Sequence, residues 1–487
     1  MQPDRRDGGP PRGRRQFLCS LGRGLLGGAC LNAQSLALPL LAGERTPRVV
    51  RAVDYGLGTS DGREDDTAGL QRLIDEQLRD GDTLVLGPCH RLKARRGQRR
   101  GFQARSTLYV AQRTGITLDA RHSELFEDAV DGTAQGVFTF RDCRDVTVLV
   151  DRFRGRVDMP GESFYSGFLV ACDRGVSNLR LRAREVRDCH GGLVTLHQAQ
   201  VEDIRVEIEQ LTHCNYGVTL RGGHRRVTAR FAIDGCRRAF FIHGDSREVD
   251  ADYRVANAYL TALRLGVGGG AGPIRDARVS CRVVEGAAEY RPQARNRIEA
   301  KGVGNQLLDS HIEVVADLPV SVVSLGDDAG FVMRRVGIKV AIPEASSAST
   351  VAPFTIGGVQ AEPFEAVSAD LHAGVSAVAG QPARRTVQVR NGRGLRLRGR
   401  LHCAEAVGEP LLIDDVAEVD LDLETYHAGG GRGAVLRYCR NVTGRLVTNG
   451  RLAVSDSRGV SLEVVAAARR DEYPEKGSVT STSRMNE

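Results

Sequence analysis

The chain of 487 residues contains no tryptophan, and aromatic residues make up only 5% of it. A platform of stacked rings for neutral sugars is therefore a poor expectation, while 26% charged residues leave room for ionic recognition. No Cys-x-x-Cys pair and no His/Cys cluster at zinc spacing occurs, which excludes the common zinc folds and the dithiol redox motif. Beyond residue 42 no apolar run approaches the roughly 18 residues needed to cross a bilayer. The net charge of +7 also loses weight on inspection, because six Arg and two Asp fall within residues 1–42. The remaining +3 gives nucleic-acid binding no support.

What the chain has instead is one short phrase restated five times. The copies are Phe138-Thr139-Phe140-Arg141, Leu169-Val170-Ala171-Cys172, Val194-Thr195-Leu196-His197, Val218-Thr219-Leu220-Arg221 and Phe240-Phe241-Ile242-His243, with last residues 31, 25, 24 and 22 positions apart. A unit this short cannot bury its own apolar face and must stack on its neighbours. β-branched alternation, with Gly, Asn or Asp between segments, makes each unit strand-rich. The expectation is an all-β solenoid, a single-stranded parallel β-helix. Cys189, Cys214 and Cys236 precede successive copies, and second strands follow at Leu179-Leu181-Ala183, Ile204-Val206-Ile208 and Val227-Ala229-Phe231. Their alternation points those residues inward and Arg180, Arg182, Arg205, Glu207 and Arg230 outward.

The N-terminal segment reads as a delivery signal. Arg14-Arg15-Gln16-Phe17-Leu18 follows a basic stretch and leads into an apolar run from Leu21 to Ala42. It resembles a twin-arginine export signal, with Cys19 where that family often has Lys. The resemblance implies the twin-arginine export machinery as a partner, removal of residues 1–42, export of an already folded chain, and a periplasmic or extracellular location. Cys30 lacks, at Gly27, the aliphatic residue of a lipoprotein site. Nine Cys remain beyond the leader, and several fall at inward, once-per-coil positions where rungs are only ~4.8 Å apart. That spacing distorts a disulfide, so buried free thiols are expected.

Three further stretches carry a resemblance: Val53-Asp54-Tyr55-Gly56-Leu57-Gly58, Asp61-Gly62-Arg63-Glu64-Asp65-Asp66-Thr67-Ala68-Gly69-Leu70-Gln71, and Asp82-Thr83-Leu84-Val85-Leu86-Gly87-Pro88-Cys89. Together they resemble the entry segment of the pectate-lyase-like superfamily, in particular its rhamnogalacturonase and epimerase-like group with the family 28 glycoside hydrolases. The resemblance implies a right-handed parallel β-helix whose N-terminal end is closed by a capping helix. Asp65, Asp66 or Thr67 can cap that helix, expected over about residues 66–79, and Leu70, Leu73, Ile74 and Leu78 form its apolar stripe. The solenoid is expected over residues 43–468 as one domain, followed by a polar tail, 469–487. Within it, residues 91–105 form a basic stretch, and Gly268-Gly269-Gly270 lacks the Lys-Ser/Thr of a phosphate loop. Rungs become irregular from about 274 to 385, and the phrase returns at Leu411, Ala434 and Leu452.

The family comparison informs most where it fails. In the related hydrolases catalytic Asp residues precede or begin this recurring strand, since hydrolysis needs two carboxylates across the bond. This chain has Gln135, Tyr165-Ser166, His190-Gly191, Asn215-Tyr216 and Arg237-Arg238 there, and Asp327-Asp328 follows its strand instead of leading it. The residues present suit proton abstraction from a uronate: a base, an acid and a cation for the carboxylate. His190 and Tyr216 are the expected catalytic pair, with Arg221 and Arg237 on the carboxylate and Asn215 beside them. His197, Arg221 and His243 make a second outward column that is expected to contact substrate. The expected partner is an acidic polysaccharide, and lyase chemistry is favoured over C5 epimerisation, which begins with the same step. A displaced-carboxylate hydrolase and a non-catalytic glycan-binding β-helix are the alternatives. No cofactor is expected, and no metal, because the acidic cluster of calcium-dependent pectate lyases has no counterpart on these rungs.

Overall fold

The computed structural model describes residues 46–467, apart from 60–61, 63, 94–105, 129–135, 157–165, 197–198, 267–271, 291–293, 348–353, 378–384, 404–408 and 428–430. The leader with Cys30, the tail 469–487, His197, Gln135, Tyr165, Gly268, Gly269, Gly270 and most of the basic stretch lie outside the described residues. From Pro47 onward the chain forms one compact unit.

The architecture is all-β: a single-stranded parallel β-helix with an N-terminal capping helix. Its central column of paired residues runs through Leu108, Phe138, Val170, Leu193, Val218, Phe240 and Leu263. It continues through Ile298, Val323, Phe354, Val387, Leu411 and Ala434 to Leu452. A second column stacks Val146, Leu179, Ile204, Val227 and Val249. All of these except Leu452 are buried, so each coil closes its apolar face only against the next. Arg180, Arg182, Arg205 and Glu207 point to solvent between them, as period-two alternation requires.

The cysteines follow the same logic. Cys214 pairs with Cys236, and Cys189 Sγ lies 3.7 Å from Cys214 Sγ, with all three buried and unbridged. Burial raises the Cys189 and Cys236 thiols well above their ordinary range.

Two copies of the phrase are shifted from their expected register. Val170, rather than Leu169, pairs with Phe138, and Leu193, rather than Val194, pairs with Val218. The reason is burial on both faces: Leu169, Val170, Ala171 and Cys172 are all inaccessible, as are Leu193, Val194 and Thr195. A continuous apolar run carries no alternation from which a one-residue slip can be detected.

The capping helix spans Thr67–Glu76 and buries Thr67, Leu70, Leu73 and Ile74. Asp65 Oδ1 accepts the Thr67 N–H at 3.1 Å. Asp66 is used differently: its Oδ2 accepts the Gly58 N–H at 3.1 Å and the His90 Nδ1–H at 2.6 Å, tying the entry loop to the first coil. On the helix, Gln71 donates to Tyr109 O at 2.9 Å and accepts from Tyr109 N at 2.8 Å. It thereby satisfies the edge of the strand Ser106–Ala111.

Each coil turns its corner on one residue in the left-handed conformation, immediately before the inward residue of the second column. Asp145, Asn178, Asp203, Arg226 and Glu248 hold this place with φ of 55°, 51°, 57°, 55° and 55°. Side chains bond along the corner: Asn178 Nδ2 to Asp145 Oδ1 at 2.6 Å, and Arg226 Nε to Asp203 Oδ1 at 2.6 Å. Farther along, exposed Ala366 occupies the same corner at φ 52° with no such bond to offset its strain. Ala366→Gly should therefore stabilise the fold by up to about 1 kcal/mol, the relief of left-handed strain less glycine's added chain entropy. The midpoint of denaturant unfolding measures this, and an unchanged or lowered midpoint contradicts it.

Candidate functional site

The site begins with a missing side chain. Phe168 pairs with Gly191 on the next rung, and Tyr216 lies one rung farther on. Gly191 has φ +152°, and a Cβ there would meet Tyr216 O at 2.2 Å and Phe168 Cε1 at 3.0 Å. Across this gap the Phe168 and Tyr216 rings stack, with centroids 5.9 Å apart and planes inclined by 26°. His190 joins them, its ring centroid 5.8 Å from that of Phe168.

His190 is held in one tautomer. Its Nδ1–H donates to Ser166 O at 2.7 Å and its main-chain N–H donates to the same oxygen at 3.1 Å, which leaves the lone pair on Nε2. Burial, followed by the charge of Arg221, lowers its pKa, so the ring is neutral at pH 7. Beneath it lies Glu127, a residue the sequence reading missed. Its Oε2 accepts the Gly167 N–H at 2.7 Å, its Oε1 takes the Thr107 hydroxyl, and its main-chain O accepts Ser166 Oγ–H at 2.9 Å. Full burial pushes this carboxyl up to about 7. Glu127 was detectable in principle, because it stands at an inward position of its strand in line with Ser123 and Leu125.

Two arginines converge on Tyr216. Arg238, its partner on the next rung, donates from Nη1 to the phenol oxygen at 3.1 Å. The Arg238 guanidinium carbon lies 5.8 Å from the Tyr216 centroid and 5.7 Å from that of Phe241. The Arg221 guanidinium carbon lies 5.9 Å from the same Tyr216 ring. Arg48, Arg226, Arg335 and Arg437 all grip carboxylates elsewhere in the chain, whereas Arg221 and Arg238 have no acidic partner among the described residues. Burial lowers the Arg221 pKa, and the charge of Arg238 adds to this. Two half-buried guanidinium groups on one ring, with no counter-charge, form a place for an anion.

The remaining expected residues divide. Arg237 is half-buried and makes none of these contacts; Arg238 holds the position assigned to it, because the register that pairs Cys214 with Cys236 also pairs Tyr216 with Arg238. Asn215 is buried, its N–H donating to Cys189 O at 3.1 Å. His243 stands one rung beyond Arg221, as expected, its N–H on Leu220 O at 2.7 Å and its ring edge-on to Phe241 at 6.2 Å. His197, the third residue expected in that column, lies outside the described residues. Farther along the same face Glu299 is buried, accepting from Arg264 and, at 3.1 Å, from Lys301. Burial opposes its charge, but Lys301 and Arg264 outweigh burial and hold the carboxyl below its ordinary value.

If the two arginines receive an anion, Arg238→Ala should weaken binding of a polyuronate by about tenfold or more, the worth of a charge-assisted hydrogen bond. Arg237→Ala should leave it nearly unchanged. Calorimetric titration with a polyuronate and its neutral methyl ester measures both, and equal losses in the two variants would remove Arg238 from the site.

No protein-family model and no curated protein matches the chain. Among solved structures it is similar to a family 28 exopolygalacturonase from Yersinia enterocolitica, at 12% identity and a TM-score of 0.37, covering 87% of this chain and 79% of that one. It is similar to the A-module of mannuronan C-5 epimerase AlgE6 from Azotobacter vinelandii, at 12% identity and a TM-score of 0.32, covering 86% and 100%. It is also similar to PfbA, a surface adhesin of Streptococcus pneumoniae, at 9% identity and a TM-score of 0.30, covering 85% and 93%. At these values no residue role passes from those proteins to this chain.

Proposed function

We propose that this chain acts on an acidic, uronate-containing polysaccharide by abstracting the C5 proton, with β-elimination favoured over epimerisation. The observation that carries this reading is the convergence on Tyr216 of Arg221 and Arg238, which have no acidic partner among the described residues, beside a neutral His190. In the proposed step both guanidinium groups take the uronate carboxylate, which stabilises negative charge as it develops there. His190 Nε2 removes the C5 proton. The electron pair left at C5 forms the C4–C5 double bond, the C4–O bond breaks, and Tyr216 gives its hydroxyl proton to the departing oxygen. Epimerisation differs only in returning a proton to the opposite face of C5 with C4–O intact.

Hydrolysis has less support at this centre. Arg221 and Arg238 have no acidic partner among the described residues, and the nearby Glu127 is buried with its carboxylate already accepting from the Gly167 N–H and the Thr107 hydroxyl. Glu299 is three rungs from Tyr216, ~14 Å at the ~4.8 Å rung spacing, and is already clamped by two cations. A paired-carboxylate mechanism needs ~5–9.5 Å between its two groups. The twin-arginine-like leader and the unbridged buried cysteines support export of a folded chain to the periplasm or beyond.

Incubation with polyuronates should produce an unsaturated sugar, seen as rising ultraviolet absorbance. New reducing ends without absorbance would favour hydrolysis, exchange at C5 without cleavage would favour epimerisation, and binding without turnover would leave a glycan-binding protein. The pH dependence is fixed in sign. Burial and Arg221 both disfavour the imidazolium, so the acid limb of activity should lie below the ordinary histidine value of 6.5. Arg221→Gln removes the second cause and should move that limb upward. A limb that stays in place or moves down would exclude His190 as the base.

A further inference from the structure

Behind Arg221 the core holds a chain of hydrogen bonds that the proposed chemistry does not use. In the corner column Val201, His224, Ser246 and Ile274 stack on successive rungs, which puts an imidazole among inward-facing residues. His224 is 4% exposed. The Arg221 N–H donates to Thr195 Oγ1 at 2.9 Å, and Thr195 Oγ1 lies 2.5 Å from His224 Nε2. The Gly222 N–H also points at Nε2, at 3.3 Å. On the other side of the ring Nδ1 lies 3.0 Å from Ser246 Oγ, which donates to Gly244 O at 3.1 Å.

These directions allow one assignment. Ser246 gives its proton to Gly244 O and so accepts from Nδ1–H. Nε2 is therefore the acceptor, facing the Thr195 hydroxyl and the Gly222 N–H. Thr195 Oγ1 is left to accept from Arg221. The chain is saturated only with a neutral imidazole, because a proton on Nε2 would face two donors. Burial lowers the ring pKa to about 3.

We propose that His224 is a positioning residue, one that fixes the main chain of Arg221 so that its guanidinium stands against Tyr216 in readiness for a substrate carboxylate. The ligand in this proposal rests on the functional reading above; the positioning does not. The neighbours explain the residue type. The link to Arg221 needs an acceptor at Nε2, and the link to Ser246 needs a donor at Nδ1. Glutamine reproduces the first and asparagine the second.

His224→Asn and Thr195→Val both cut the link to Arg221, and Thr195→Val does so with little change of shape. Each should weaken polyuronate binding about tenfold, the double variant should bind no worse than either single one, and His224→Gln should restore affinity. Binding of the neutral methyl-esterified glycan should be unchanged throughout. Additive losses, equal losses for both glycans, or wild-type affinity in His224→Asn would overturn the proposal. A readout without ligand separates it from the functional reading. The Arg221 Nε–H resonance, shifted by the Tyr216 ring in the wild type, should move toward its ordinary position in His224→Asn and Thr195→Val but not in His224→Gln. An unmoved resonance overturns the positioning role even if polyuronates bind. A shifted resonance with no polyuronate binding by the wild type keeps that role and rejects the ligand.

Discussion

Everything in this molecule depends on one constraint: a coil of some twenty to thirty residues has no interior of its own. It acquires one only when its apolar residues meet those of the coils above and below, ~4.8 Å away. This condition makes columns unavoidable. Val227 lies over Ile204 and Cys236 over Cys214 because a slip of one residue would turn polar groups inward. The same condition places His190, Tyr216 and Arg238 on consecutive rungs, with no local sequence relation among them. The stack that buries the core also assembles the cluster around Tyr216.

How much of this was legible depends on whether one or both faces of a strand are buried. The second strands alternate, and Leu179, Ile204 and Val227 fell in register directly from that alternation. The central strands are buried on both sides around Ala171 and Val194, and there the reading slipped by one residue, setting Leu169 and Val194 where Val170 and Leu193 belong. Arg238 was within reach of the sequence, since the offset that carries Cys214 onto Cys236 carries Tyr216 onto Arg238 and not onto Arg237. Glu127 and His224 were missed for a different reason. Each is a polar residue in inward phase, and alternation scored for apolar matches passes over them. The corner residues were equally hidden, because Asp, Asn, Arg, Glu and Ala serve where glycine would have announced a left-handed turn.

The electrostatic character of the cluster around Tyr216 follows from what its neighbours lack. Over most of the surface, cations and carboxylates alternate from rung to rung and neutralise one another, as Arg396 and Asp420 or Arg400 and Glu424 do. At Tyr216 the alternation stops. Arg238 follows Tyr216, Phe241 lies alongside, and Arg221 closes the rim, so positive charge accumulates where half-burial makes it most costly. An aromatic face offsets part of that cost.

The two ends of the solenoid are not equivalent. Gln71 on the capping helix completes the hydrogen bonds of Tyr109, so the first central strand has a partner on its outer side. The last strands, Arg451–Ser455 and Arg458–Ala466, are exposed, with Val454 and Val464 about half accessible and no described residue packed beyond them. A stack of nearest-neighbour units closed at one end opens like a zipper from the other. Breathing of the backbone should start at the C-terminal rungs and die away toward the helix. Tyr216 lies on the helix-capped side of the middle, so fraying from the far end should reach it late, and its stack with Phe168 should outlast the distal coils.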